Sequence, residues 1–521
     1  MKNRQCGRLT SAALSASLMA LAVAAALPAR AEDGPAPGRK DRVGELLETL
    51  KAKGVIDEKD YEALTENSAE ARAARRRDAL KKAQEEEAAN VRKSQYAGRW
   101  NNGIIFETPD RANSVSLSGR VHADYRYFEK DTAASTFDLR RVYLTVAGKW
   151  NEWLTWDVSA DLAQTTTASS ATTGTQTANL GTGAVSSTTV SPQSNGGSVL
   201  DVAWFNVAFS DAVQLRFGQF KMPMSLEELT SSRFLDFQER SLVNRFVPAK
   251  ERGVMLHGIP MPGLTYGIAL SNGSGKNGVE SSANFDRPDV IGRVSANVAE
   301  FIGAQTNAVY HVGAAYSQGT LSNTTSLSVG SEPRTGATFF STSAFDGTGV
   351  DRQRMGLEAA LAYGPFKLQG EYLNTNYSGR SKGGAAYDRD IETYYASALW
   401  MVTGERYAES YRNGTFGRIS PYSNFVPGGT GTGALELGVR WSGLNAGDFA
   451  TTNAAGTGVL SSATSRTSSA DTLTLQAKWI WTPNVRFLIN FVTTKYGNPI
   501  AFTGFTTDRE KAITMRASFD F

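Results

Sequence analysis

Cysteine is all but missing. The 521-residue chain has one, Cys6, and it lies in a segment that reads as an export signal. Lys2, Arg4 and Arg8 precede an apolar stretch from Ala12 to Leu27, which closes on Ala29-Arg30-Ala31. A basic start, a short apolar run and an A-x-A site predict a signal peptide over 1–31, cut after Ala31. Cys6 precedes the apolar run, so it is not placed for lipidation and leaves with the signal. The remaining chain has no disulfide scaffold, no cysteine metal site and no thiol nucleophile. Histidine is nearly as scarce: His122, His257 and His311 stand alone, none within four residues of another. With no Ser-His-Asp arrangement and no metal-ligand spacing, the sequence offers no reactive set, so it implies neither an enzyme nor a cofactor. Past residue 31 there is no apolar run of roughly 20 residues, which excludes a helical membrane protein. An excess of charge of one sign is also lacking. Removing the four basic residues of 1–31 from the chain's 54 leaves 50 against 51 acidic. Arg75-Arg76-Arg77 is answered by Glu85-Glu86-Glu87, so an exported chain of this kind is not read as binding nucleic acid.

What is present falls into two patterns. Residues 32–40 form a Pro- and Gly-containing linker, and 41–96 have helical periodicity. Val43, Leu46, Leu47 and Leu50 make one stripe, and Gly54 suits the C-terminal cap of that helix. Asp57 opens a second helix, with Asp60 three places on. The Ala-, Glu-, Arg- and Lys-rich run Glu66–Lys93 favours helix, but Ala69, Ala73, Leu80 and Ala83 bury little. Either a solvated helix or a homo-oligomeric coiled coil in the periplasm fits this composition.

From about residue 113 the apolar period changes from 3.6 to 2. Val115, Leu117, Val121, Ala123, Tyr125 and Tyr127 share one face; Ser116, Ser118, Arg120, His122, Asp124 and Arg126 share the other. Sixteen such segments recur, near 113–128, 136–148, 153–163, 198–210, 213–221, 252–260, 263–271, 287–299, 305–318, 351–363, 365–377, 390–402, 434–444, 470–481, 484–496 and 510–521. Their connections mostly alternate short and long, and the mean hydropathy is negative. An even number of amphipathic strands with short turns at one end predicts an all-β fold, a 16-stranded transmembrane β-barrel with an N-terminal helical extension. Trp150, Trp153, Trp156, Trp479 and Trp481 cluster at turns, where a headgroup belt would hold them. The connection 403–433 breaks the alternation, either as an elaborate turn or as a concealed hairpin. Loops 164–197 and 319–350 are rich in Ser, Thr, Gly and Ala and are expected to be flexible surface loops without a site. Segment 222–251 carries Leu226, Leu229, Phe234, Leu235, Phe237, Leu242, Val243, Phe246 and Val247, more apolar bulk than a solvated loop needs. It is expected to fold inward and constrict the barrel.

Several stretches resemble a known family. Gly218-Gln219-Phe220-Lys221-Met222-Pro223, Ser225-Leu226-Glu227, Thr230-Ser231-Ser232, Glu239-Arg240-Ser241 and Glu251-Arg252-Gly253, in this order, are similar to the phosphate-selective porins O and P. Phe137-Asp138-Leu139-Arg140-Arg141 resembles the strand that supplies pore arginines in that family, and Gly404-Glu405 with Pro421 resembles its late periplasmic segment. The resemblance spans roughly 97–521. It implies a Gram-negative outer-membrane channel, a homotrimer, and passage of phosphate or other small anions past inward arginines and lysines. The ending Ala517-Ser518-Phe519-Asp520-Phe521 resembles the signal read by the outer-membrane insertion machinery. One departure is plain: the long external loops here are poor in basic residues.

The strand at 137–148 switches phase, from Phe137 and Leu139 to Val142, Leu144 and Val146. A bulge between Arg140 and Arg141 would turn both toward the lumen, sparing a cost of roughly 2–4 kcal/mol for a lipid-facing arginine. Arg120 and Arg126 share the lumen phase. Lys221, Arg233, Arg240, Arg245, Lys250 and Arg252 belong to the constricting segment, offset by Glu227, Glu228, Asp236, Glu239 and Glu251. An anion filter requires those acids to be tied up. A general or cation-tolerant porin fits the same near-neutral count, and a surface adhesin would place its function in the bland loops.

Overall fold

The computed structural model describes residues 42–521 apart from 67–68, 95–96, 101, 164–198, 279–287, 304–307, 322–324, 348 and 451–456. The signal-peptide and linker expectations, and all of loop 164–197, lie outside the described residues. The chain divides into two units, 1–91 and 92–521.

In the first unit, α1 (Arg42–Ala52) and α2 (Glu58–Glu66) form a hairpin. The turn depends on Gly54, at φ +67°, a conformation costly for residues with a Cβ. Asp57 accepts the Asp60 N–H at 2.7 Å and so satisfies one free donor of α2. Leu47 is buried, and the Lys51 ammonium sits 4.5 Å from the centre of the Tyr61 ring. A long helix, α3 (Ala69–Ser94), follows, with Leu80 exposed.

In the second unit, sixteen antiparallel strands close on themselves. They are β1 (Ser114–Phe128), β2 (Thr136–Trp150), β3 (Leu154–Asp161), β4 (Leu200–Ala208), β5 (Gln214–Lys221), β6 (Lys250–Met261), β7 (Leu264–Ser271) and β8 (Asp289–Asn297). Next come β9 (Ala308–Leu321), β10 (Val350–Tyr363), β11 (Phe366–Arg380), β12 (Ala386–Met401), β13 (Ala434–Asn445), β14 (Ser469–Thr482), β15 (Val485–Phe502) and β16 (Phe505–Asp520). Each pairs with its sequence neighbour, and β16 pairs with β1 from Ala512↔Phe128 to Asp520↔Arg120. Gly119 and Phe521 exchange both backbone hydrogen bonds, at 2.9 and 3.0 Å. A hairpin that the periodicity did not reveal, Ala97–Trp100 with Ile104–Glu107, pairs with Ser114–Leu117 below that seam. Its strands are four residues each, too short for a period of 2 to register.

Burial is inverted relative to a water-soluble protein. Asp124 and Arg126 are each 2% exposed, whereas Leu357 and Leu368 are 52% and 51% exposed. Charged side chains inside and apolar ones outside are what a lipid surround demands. Trp150, Trp153 and Trp479 lie exposed near the short-turn rim.

Connecting segments enter the barrel from both rims. Residues 222–249 fold inward from the long-loop rim, as their apolar content requires: Met222, Leu226, Leu242 and Val243 are buried. The loop joining β9 to β10 also turns in, against the expectation of a bland surface loop. Ser328–Gly330 and Thr338–Ser341 pair, and Val329, Phe339, Phe340 and Phe345 are buried with Tyr377, Tyr387 and Phe449. Its Ser/Thr/Gly composition concealed a few large side chains that the lumen could cover. From the opposite rim, the 402–433 connection is an elaborate turn and a hairpin at once. A helical turn (Tyr407–Ser410) leads into Tyr411–Arg412 paired with Thr415–Phe416, and Tyr407, Tyr411 and Phe416 pack on Leu226 and Phe237.

Candidate functional site: the channel lining

The inserted segments leave a cavity of about 880 Å³ against the wall of β1–β8. Loop 222–249 forms its other side, and Asn413 and Thr415 reach it from the short-turn rim. Among the described residues ten basic side chains line it, Arg120, Arg140, Arg141, Arg216, Lys221, Arg233, Arg240, Lys250, Lys276 and Arg293, against four carboxylates, Asp157, Asp161, Asp201 and Glu228. Two of these cations are paired with carboxylates behind the lining, Arg140 with Glu239 and Arg293 with Glu358.

The bias has two local causes. On β2 the pairing register skips a residue: His122 faces Arg141 and Ala123 faces Leu139, leaving Arg140 as the extra one. Consecutive arginines thereby reach one cavity. The loop, for its part, ties up its own acids. Glu239 takes a bidentate bond from Arg140 (2.8 and 3.1 Å) and another from Arg516 (2.7 Å). Asp236 binds Lys367 at 2.7 Å; Glu227 binds the Ser241 N–H and Arg440; Glu228 binds Asn244 and Arg240. On β6, Glu251 accepts from Ser271 and the Gly273 N–H. Burial alone would raise the Glu239 carboxyl, but Arg140, Arg141 and Arg516 outweigh it and hold it well below the usual carboxylate range.

The basic residues differ in how free they are. Arg120 lies 3.8 Å above the Tyr143 ring, Arg216 lies 4.3 Å from Trp204, and neither has a carboxylate within ion-pair reach among the described residues. Arg233 donates to Ser118 Oγ at 3.3 Å; burial and the nearby Arg120 lower its guanidinium to about 10, so it remains charged at neutral pH. Arg141 has only a distant approach to Glu239, 3.9 Å. Lys221 and Arg240 do a different job. They donate to the carbonyls of Glu228 and Thr230, closing the exposed end of the Leu226–Leu229 helix. Lys250 and Lys276 share Asp201.

Three sequence-predicted residues do not line this cavity. Arg126 is clamped between Asp138 (2.9 Å) and Asp124 (3.8 Å). Arg245 donates to the Ser331 and Glu332 carbonyls, joining the two inserted loops. Arg252 is absent from the lining, where Lys250, Met255 and His257 represent β6. Lys276 and Asp201 had no sequence signal: one stands in a loop, the other where the β3–β4 register shifts.

A closed sixteen-stranded barrel with a wet, charged interior and an inward loop is the architecture of a bacterial outer-membrane porin. The model of the phosphate-selective porin O and P family matches residues 115–521, and the chain belongs to that family. It is thus a channel of the Gram-negative outer membrane and not an enzyme. Among curated proteins it is similar to Porin O of Pseudomonas aeruginosa, 23% identical over 378 residues, 66% of this chain and 76% of that one. Among solved structures it is similar to an anion-selective porin from Comamonas acidovorans, with TM-score 0.46, 11% identity, and coverage of 78% of this chain and 100% of the other. It is likewise similar to the outer-membrane channel DcaP of Acinetobacter baumannii, with TM-score 0.46, 11% identity, and 80% and 99% coverage.

Proposed function

We propose that the channel passes small anions, phosphate among them, along the wall of β1–β8. The carrying observation is the cavity lining, ten cations to four carboxylates among the described residues, in which Arg140 and Arg240 are paired with loop acids while Arg120, Arg216 and Arg233 have no carboxylate within ion-pair distance. Arg120, Arg141 and Arg233 supply moderate stations in series. That suits conduction, because an ion that binds must also leave. Arginine's fork of donors suits oxyanions. The same proposal includes a homotrimer in the outer membrane, its signal peptide removed, with α1–α3 on the periplasmic side as an oligomeric helical extension.

Planar-bilayer recordings in a potassium chloride gradient test it. The reversal potential should move toward the chloride value, and added phosphate should reduce chloride current. A cation-directed shift would reject anion preference and favour the second reading, a weakly selective diffusion porin. That reading draws on the near balance of residues 221–252, six basic against five acidic.

A further inference from the structure

Resting on the anion-channel reading, we propose a second station on the β4–β6 wall that takes organic monoanions with a flat apolar body, of the benzoate type. It centres on Arg216. This residue sits in the lumen phase of β5, opposite Asn206 on β4 and Met255 on β6. Its guanidinium carbon lies 4.3 Å from the centre of the Trp204 ring and 5.9 Å from that of Phe220. Its Nε is buried without a hydrogen-bond partner; among the described residues no carboxylate is within ion-pair distance, and Asp157 on β3, opposite Trp204, is the carboxylate whose charge acts on it at longer range. Trp204, Phe220, Met255 and Tyr266 line the same stretch of cavity.

The surroundings of Arg216 differ in kind from those of Arg140 and Arg141. There, several cations stand together on one side of the channel, as a small, strongly hydrated, multiply charged oxyanion requires. Here a single guanidinium is set among aromatic faces and a thioether, with Asp157 and His257 as the other polar groups acting on it. A lone arginine in such company gives a poor return for stripping water from phosphate. For a flat carboxylate both halves fit: the two oxygens meet the free edge of the fork, and the apolar body leaves water against Trp204, Met255 and Tyr266. The indole face holds the guanidinium plane, so its donors are already aimed when the anion arrives. A cavity of about 880 Å³ accommodates a molecule of this size.

The test is block of chloride current through the full-length channel in planar bilayers by benzoate, acetate and phosphate, after the reversal potential has established anion preference. Benzoate should half-block at a concentration about tenfold below acetate, the scale of one desolvated stacking contact. Trp204→Ala should weaken benzoate block about tenfold and leave acetate and phosphate within about twofold. Arg216→Lys, which keeps the charge and loses the fork, should also weaken benzoate selectively. Equal block by benzoate and acetate in the unaltered channel overturns the proposal, as does a Trp204→Ala channel in which phosphate and benzoate weaken together. If that variant fails to insert, the benzoate–acetate comparison decides by itself. A cation-directed reversal potential, by contrast, sinks the anion-channel reading beneath it.

Discussion

At the scale of single residues, a charge in this channel counts only to the extent that nothing nearby cancels it. Arg140 and Arg141 are adjacent in sequence and share one cavity, yet Arg140 is held bidentately by Glu239 while Arg141 stands 3.9 Å from it. Replacing Arg141 by alanine should therefore lower the anion-to-cation permeability ratio by about two- to fivefold, the order of a partly screened charge, and more than Arg140→Ala does. Reversal potentials of the two variants check the ranking. Gly218 is a different kind of control. Its φ is +120°, and a Cβ there would stand 2.2 Å from the Ala203 carbonyl oxygen. Gly218→Ala should cost about 1–3 kcal/mol and lower the temperature at which the folded gel band is lost. The lumen phase of β1 and the arginine bulge were legible in the sequence, because alternation and its break are written in residue type. The partners were not. That Lys221 and Arg240 cap a helix, or that Arg126 is clamped by two aspartates, depends on side chains brought together only by folding.

At the scale of elements, the inserted segments are pinned by a few buried ion pairs. Glu332, on the loop between β9 and β10, binds Arg440 at 2.8 Å, and Arg440 also binds Glu227 of loop 222–249 at 3.1 Å. Breaking one buried partner typically costs about 3–5 kcal/mol. Glu332→Ala should therefore loosen both loops, and single-channel records should become noisier with a larger mean conductance. Acid acts on the same elements. The Glu239 carboxyl is held below the usual carboxylate range, so its stabilisation is complete above the ordinary value near ~4.3 and fades only as pH falls through the depressed one. The Glu239 tie should therefore hold at pH 4.5. Burial, however, raises the carboxyl of Glu227, which in the same loop ties Ser241 and Arg440, so conductance should step upward between pH 7 and 4.5 in the unaltered channel and not in Glu227→Gln. The inward turn of 222–249 could be read from its own apolar residues. That of 325–347 could not, since four buried aromatic and aliphatic side chains were diluted among Ser, Thr and Gly.

At the scale of the whole molecule, the barrel is filled unevenly. Loops from one rim and the 402–433 connection from the other fill much of the lumen, and a cavity of about 880 Å³ is left along β1–β8. Arg418 fastens the lower insertion: it pairs with Asp520, bonds the Pro483 carbonyl and lies 5.2 Å from the centre of the Phe234 ring. Removing it by Arg418→Ala should raise conductance while leaving the sign of the reversal potential unchanged, since the wall's charge is untouched. This uneven filling has a consequence for how such a channel can change over generations. Bore is governed by segments whose length can drift, and sign by a wall whose register is fixed by closure. A lineage could thus alter which molecules are small enough to enter without renegotiating which charge is welcome.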